Sequence, residues 1–482
     1  MSTSPDHKSI SRKPEFLERY YICRGSQKFY SNFNITIQYN QNDRITEHNL
    51  SNALRSLILK NSWFLQNFFQ IDGTDSFAAN WNNWELKYLE EIKFENVVSF
   101  QKIESFNESI FKYLDGLSLN FNTEETLWKI IVFETNDNEQ FMTVYVDHSM
   151  FDGLSAVQFM KDLSKELSLI GDDTKKVVEV LFNLEEDFKY LPSKPIIASE
   201  IITDLYIPSY GKIINHYLNE YIPGYSKALN YLYPKNINPP IFYNPKPVEK
   251  DLTSNYKILK ISSIHMSNIA KFCKKEEVTI TSYIDIMFIK ALQESIFKSI
   301  NPTSPKYSIN SFIAINGRRY YGNDIKNFKF GTMVCGSSVI SPPVLNEIES
   351  MKYFNQELNK QFETKSSFKD IGMMKYINLM DYFKNKIGKI NNNSTFTISN
   401  LGKFKSNLDS NSNFNIRDIY FSANAGILYS IVLNIISNPS GEMNIVIAYK
   451  PEFEDYKFND GSLVIPKLFE LFEKYVIDGV DV

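Results

Sequence analysis

Residues Phe141 to Gly153 read F-M-T-V-Y-V-D-H-S-M-F-D-G, and this stretch restricts the fold more than any other part of the chain. Val144, Tyr145 and Val146 favour the pleated conformation, and alternation puts His148 on the face shared by Met142, Val144 and Val146. Directly after Gly153, Leu154, Val157, Met160, Leu163 and Leu167 recur at steps of three or four, the period of a half-buried helix. A strand must therefore hand over to a helix across Ser149–Asp152. Gly153 is expected to relieve the change of direction, since glycine reaches backbone conformations closed to other residues. The imidazole sits where one rigid element ends and another begins, a place that can hold a side chain still.

The pattern inside the stretch is His148-x-x-x-Asp152-Gly153. In a chain with five His, a His-x-x-x-Asp arises by chance roughly one time in three, and the added Gly lowers this to about one in a hundred. The strand before it and the helix after it lower it further. The competing reading is a core histidine at a strand end. His7 lies in a polar opening, His48 and His216 in expected helices, and His265 at a helix start, so none shares this context.

A chain of 482 residues exceeds what one core supports, and two domains of roughly 200 residues each are expected. Interspersed charges summing to −4 argue against a nucleic-acid binder, which needs a basic face. Cys23, Cys273 and Cys335 are odd in number and far apart. They offer neither a disulfide framework nor metal-ligand spacing, so a reducing, cytoplasmic setting and no metal are expected. The polar opening is not a secretory segment, and no run of about 18 apolar residues predicts a membrane span. No Gly-rich phosphate turn follows a strand, so NAD and ATP are not implied.

Mixed elements fill both halves. Strands are expected over Asn34–Tyr39, Phe64–Ile71 and Asn96–Phe100, and helices over Glu47–Ser62 and Ser105–Leu117. Leu127–Glu134 and Phe141–His148 read as an antiparallel hairpin across Thr135-Asn136-Asp137-Asn138. Residues 1–14 read as a disordered tail, 15–185 as a first half, 186–250 as a proline-interrupted crossover with helices near Ile197–Leu205 and Ile213–Tyr221, and 251–482 as a second half. The second half alternates strands, including Tyr307–Ile315, Thr332–Ile340, Thr395–Ser399 and Ile416–Ser422, with helices such as Thr279–Phe297 and Ile348–Phe362. The last helix, Pro466–Ile477, carries Leu468, Phe469, Phe472 and Val476 on one face. Packing on the second sheet is its expected role, and a lipid surface such as an endoplasmic reticulum membrane or lipid droplet is the alternative.

The run H-S-M-F-D-G-L-S-A-V-Q-F-M-K-D-L resembles the HxxxDG signature of acyl-CoA-dependent acyltransferases with the chloramphenicol-acetyltransferase-like fold. Within them it is most similar to the fungal alcohol acetyltransferase family. Phe16-Leu17-Glu18-Arg19-Tyr20-Tyr21 through Phe29-Tyr30 resembles that family's opening. Asn316-Gly317-Arg318-Arg319 resembles its Arg-bearing strand end, and Ser399-Asn400-Leu401-Gly402 its late strand. The Asp-Phe-Gly-Trp-Gly motif of the plant relatives is absent. The resemblance implies an α/β protein of two similar halves with mixed sheets and a channel between them, reaching His148 from both ends.

It also implies a chemistry. His148 would act as general base on the acceptor, with acetyl-CoA as co-substrate, no permanent cofactor, and a monomer as the working form. Ser149 beside it is the alternative nucleophile, although sequence neighbours rarely adopt triad geometry. Asp152 would point away from His148 and pair with Arg318 of the second half, with Arg319 the runner-up; on strand alternation the two face oppositely, so only one can serve. Ser399 and Asn400 would face the tetrahedral oxyanion. For Lys403 and Lys405 a charged turn is the favoured reading, contact with CoA phosphates the alternative. The expected activity is O-acetylation of a small or medium apolar alcohol. N-acetylation of an amphipathic, sphingoid-like amine and a non-catalytic binding protein are the alternatives.

Overall fold

The expected hairpin forms the centre of the first sheet. Trp128–Thr135 and Gln140–Val146 pair antiparallel, with Ile130 opposite Val144. Asn138 takes φ 59° in the turn between them, which asparagine tolerates. Phe33–Tyr39 flanks the motif strand on its other side, and Val98–Ile103 runs parallel to Trp128–Thr135. The fifth strand, Ile416–Ala423, belongs by sequence to the second half but pairs with Phe33–Tyr39. It covers an edge that would otherwise expose a row of unpaired backbone groups.

In this computed structural model the described residues are 10–480, apart from 75, 172–175, 235–236, 304–305, 322–327, 391–393 and 410–411. The second sheet has seven strands and is mixed. Ser308–Asn316, Phe396–Lys403 and Ile431–Ser437 run parallel; Met443–Tyr449 pairs antiparallel with Ile431–Ser437 and with Asn255–Ile261, and Ile241–Phe242 and Val334–Ser341 both pair with Ser308–Asn316. Its central strands are covered on both faces, and every residue of Met443–Tyr449 is buried, as parallel and mixed sheets require. Helices Glu47–Leu59 and Gly153–Ser168 pack together in the first half, and Ile280–Leu292 with Val464–Asp478 in the second.

Some expectations need correction. Of the tail expected over 1–14, residues 1–9 lie outside the described residues, but Ser11–Arg12 pair with Trp84–Tyr88, and Arg12 grips Glu18 through two 2.7 Å hydrogen bonds. The helix expected near Ile197–Leu205 is two 3-10 turns, Ser199–Ile202 and Asp204–Tyr206. Thr203 separates them because its hydroxyl accepts from the Leu205 N–H, offering the backbone an alternative to helix. As expected, the C-terminal helix, Val464–Asp478, packs inward and buries Leu468, Phe469, Phe472 and Val476, so that face is not available to lipid. The opening stretch, for which no element is expected from the sequence, is a helix, Phe16–Ser26. Among the described residues no helix is long and apolar enough to cross a membrane.

Candidate active site

The motif strand leaves the sheet at Asp147. Its Oδ1 accepts from the Ser149 N–H at 2.8 Å and the Ser149 hydroxyl at 2.6 Å, a local turn that fixes the residue between them. Ser149 is fully buried with its hydroxyl committed to this turn, which leaves no path for it to act as a nucleophile. Burial pushes the Asp147 carboxyl up, to about 6, against the downward pull of the Ser149 bonds and of Arg24.

His148 stacks flat on Tyr21, with ring centroids 4.2 Å apart and 9° between planes, and meets Phe33 at 4.8 Å. Its carbonyl accepts from the Thr332 hydroxyl at 2.7 Å. Nδ1 is buried with no hydrogen-bond partner among the described residues, which leaves Nε2 as the nitrogen able to meet a ligand. Burial first, and the Arg24 guanidinium second, push the imidazolium down, to about 3. The imidazole is therefore neutral across the physiological range and ready to accept a proton.

Asp152 faces away from His148. It caps the helix Gly153–Ser168, with Oδ1 accepting from the Ser155 N–H and hydroxyl, each at 2.8 Å. Oδ2 accepts from Arg318 Nη1 at 2.6 Å and from the Met333 N–H at 2.9 Å. Both oxygens are thus occupied, two of the four bonds coming from backbone N–H groups and two from side chains. Burial pushes this carboxyl up, but Arg318 and the Met333 and Ser155 bonds outweigh it and hold it below the ordinary carboxylate value. Arg318 lies on the 3-10 turn Gly317–Tyr320, not on a strand, and Asn316 starts that turn by accepting the Arg318 N–H. Arg319 is exposed. Alternation therefore does not govern the pair; the turn aims Arg318 inward.

Gly153 departs from its expected role. Its φ is not in the left-handed region, so no special backbone conformation is involved. A Cβ there would sit 2.6 Å from Cδ2 of Leu401, on the strand Phe396–Lys403 of the second half. The glycine permits close approach of the halves beside the motif. Gly153→Val is expected to lose about 1–3 kcal/mol of stability through overpacking, and Leu401→Ala to restore part of it. Thermal melts of the two single variants and the double variant check this; an unchanged melt for Gly153→Val would remove the explanation.

Ser399 and Asn400 both line the cavity in front of His148. The Asn400 side-chain oxygen accepts from the Gly402 N–H at 2.9 Å, which leaves only its NH₂ group as a donor. Lys403 and Lys405 are exposed and lie outside the cavity wall; Lys405 sits near Lys161 instead. The cavity itself holds ≈ 320 Å³. Its wall includes residues that motif reading missed: Tyr20, Tyr21 and Arg24 of the opening helix, then Tyr30 and Tyr429. One signal was available for the helix. Its apolar and aromatic residues point all round, the mark of a helix buried on every side. The clamp of Thr332 and Met333 on the motif loop carried no such signal. No cluster of His, Cys, Asp or Glu suited to a metal occurs among the described residues. The arrangement offers a neutral base, polar donors across from it, and an enclosed aromatic pocket.

A family model described as alcohol acetyltransferase matches residues 15–475. Alcohol O-acetyltransferase 1 of Saccharomyces cerevisiae is 22% identical over 494 aligned residues, covering 91% of this chain and 90% of its own length. Alcohol O-acetyltransferase 2 of the same yeast is also 22% identical, with 90% of each chain covered. Among solved structures, the trichothecene 15-O-acetyltransferase of Fusarium sporotrichioides superposes with a TM-score of 0.65 at 13% identity, covering 99% of this chain and 97% of that one. The first condensation domain of the calcium-dependent antibiotic synthetase superposes with a TM-score of 0.58 at 9% identity, covering 98% and 97%. These likenesses establish the chloramphenicol-acetyltransferase-like fold.

Proposed function

This chain belongs to the alcohol acetyltransferase family, and from that premise we propose that it transfers acetyl from acetyl-CoA to the hydroxyl of a small or medium-chain alcohol. The observation that carries the reading is the neutral imidazole of His148 in the cavity wall beside a serine whose hydroxyl is locked to Asp147. The base is available and a covalent nucleophile is not. In the proposed step the alcohol gives its proton to His148 Nε2 as its oxygen bonds to the thioester carbonyl carbon. The Ser399 hydroxyl and the Asn400 NH₂ group stabilise the oxyanion of the tetrahedral intermediate. Collapse breaks the carbon–sulfur bond, and the imidazolium returns its proton to the CoA thiolate. Asp152 and Arg318 hold the loop and take no part in proton transfer.

The test is thiol release from acetyl-CoA by the full chain, with alcohol, with amine and with neither. Alcohol-dependent release with formation of the acetate ester is the expected result. Release with amine alone would move the reading to N-acetylation, and release with neither acceptor would remove it. Because no acyl-enzyme forms, double-reciprocal plots for the two substrates are expected to intersect; parallel lines, or an acetylated protein seen by mass spectrometry, would count against the ternary complex.

The lowered His148 value also fixes a pH dependence. Protonation of the base in the free enzyme sets the acid limb of kcat/KM. Since burial and Arg24 disfavour that protonation, kcat/KM should stay level as pH falls through 6.5, the ordinary histidine value, and drop only well below it. A pH profile with its acid limb at 6.5 would contradict the burial of this base.

A further inference from the structure

The opening helix Phe16–Ser26 carries three buried charges besides its aromatic residues. Glu18 is met by Arg12 through two hydrogen bonds, and Arg19 Nη2 donates to the Ala78 carbonyl at 3.0 Å. Arg24 is different. Only 5% exposed, it has no carboxylate within ion-pair distance and no hydrogen-bond acceptor among the described residues. Its Nε is sealed from solvent without a partner, and its side chain lines the same cavity as His148. Three tyrosine rings surround it, with the guanidinium carbon 3.8 Å from the Tyr30 centroid, 5.2 Å from Tyr21 and 5.4 Å from Tyr20. Ring faces soften the burial of a cation, but they satisfy none of its five N–H donors in the way an oxygen does. Of the two buried carboxylates of the motif, Asp152 is paired with Arg318, and Asp147, whose Oδ1 is held by Ser149, acts on Arg24 only through space.

We propose that Arg24 recognises a carboxylate carried by the acceptor, so that the alcohol presented to His148 is a short hydroxy acid. This rests on the acyl-transfer reading of the cavity. A guanidinium fork matches a carboxylate with two parallel hydrogen bonds, and a buried cation with no carboxylate in contact gains most from an anionic ligand. Position sets the spacing. His148 stacks on the Tyr21 ring and Arg24 lies against that same ring, so hydroxyl and carboxylate are separated by a chain of a few carbons. Phe33, Phe312 and Val432 in the wall suit that apolar spacer.

Two arms test it on the full chain. The first needs no turnover. Hexanoate is expected to raise the melting temperature of the wild type where hexanamide and 1-hexanol do not, and Arg24→Met to abolish the difference. The second compares acetyl transfer to 6-hydroxyhexanoate, its methyl ester and 1-hexanol. The acid is expected to be preferred by about tenfold to a hundredfold in kcat/KM, the worth of one charge-assisted contact. That ratio should collapse in Arg24→Met and survive in part in Arg24→Lys. Equal losses for all three acceptors in Arg24→Met would make Arg24 a stabiliser of the oxyanion and overturn the proposal, as would a wild type that prefers the ester or the alcohol. If no acceptor is acetylated, the acyl-transfer reading fails while hexanoate binding still decides the role of Arg24. Should Arg24→Met fail to fold, Arg24→Lys and the wild-type ligand comparison carry both arms.

Discussion

Replacing His148 with alanine is expected to lower kcat/KM for acetyl transfer by about 10²–10⁴, the usual worth of a general base. The protein should still fold. Its Nδ1 has no hydrogen-bond partner among the described residues, and the loop that carries it is tied by groups the substitution leaves in place. Thr332 still donates to the residue-148 carbonyl, Trp63 Nε1 to the Met150 carbonyl at 2.6 Å, and Met333 N–H to Asp152. Because the imidazole is neutral in the fold, its removal strands no charge. What is lost is ring packing against Tyr21 and Phe33. His148→Gln separates the two effects, since it fills part of the space but cannot take a proton at neutral pH. Both variants should melt within a few degrees of wild type and bind CoA, while thiol release stays near background. Transfer within tenfold of wild type in either would remove His148 from the role of base.

How much of this was legible in the sequence follows from the range of the interactions involved. The motif strand, its hairpin partner and the helix Gly153–Ser168 are specified by neighbours a few residues apart, so alternation and a three-to-four repeat sufficed to find them. Strand alternation, which would let only one of Arg318 and Arg319 face Asp152, does not apply to Arg318. A 3-10 turn started by the Asn316 side chain sets its direction. Gly153 was singled out correctly as a special position, but the demand on it comes from Leu401, 248 positions along the chain in another sheet, which no local pattern encodes. The same limit hid the clamp of Thr332 and Met333 and the exchange of the strand Ile416–Ala423 into the first sheet. The opening helix was missed for a different reason. Its residues are buried all round, so it has no polar face and no helical period to detect.

Breaking the pair of Asp152 and Arg318 from either side is expected to cost about 3–5 kcal/mol, because each substitution leaves a buried charge without its counter-charge. Asp152 is the more deeply set, its side chain 2% exposed against 17% for Arg318. Asp152→Ala removes four acceptor contacts at once and uncaps the helix Gly153–Ser168, so it should be the worse of the two. Arg318→Ala leaves the carboxylate with the Met333 and Ser155 donors, which soften its isolation. In the double variant neither charge is stranded, and its loss should fall short of the sum by about 0.5–3 kcal/mol. The pH dependence has a definite sign. Asp152 is held below the ordinary carboxylate value, so its contribution is present above that value and is lost as pH falls through its lower value in the fold. Wild type should therefore lose stability in acid more steeply than Asp152→Asn does. Activity should fall in all these variants through displacement of the motif loop, a route distinct from loss of the base itself. Exposed Arg319 supplies the control, and Arg319→Ala should melt like wild type and add independently to Asp152→Ala. Additive losses for Asp152 and Arg318, or coupling of Asp152 to Arg319 instead, would show that the two halves are held at the motif by something other than this ion pair.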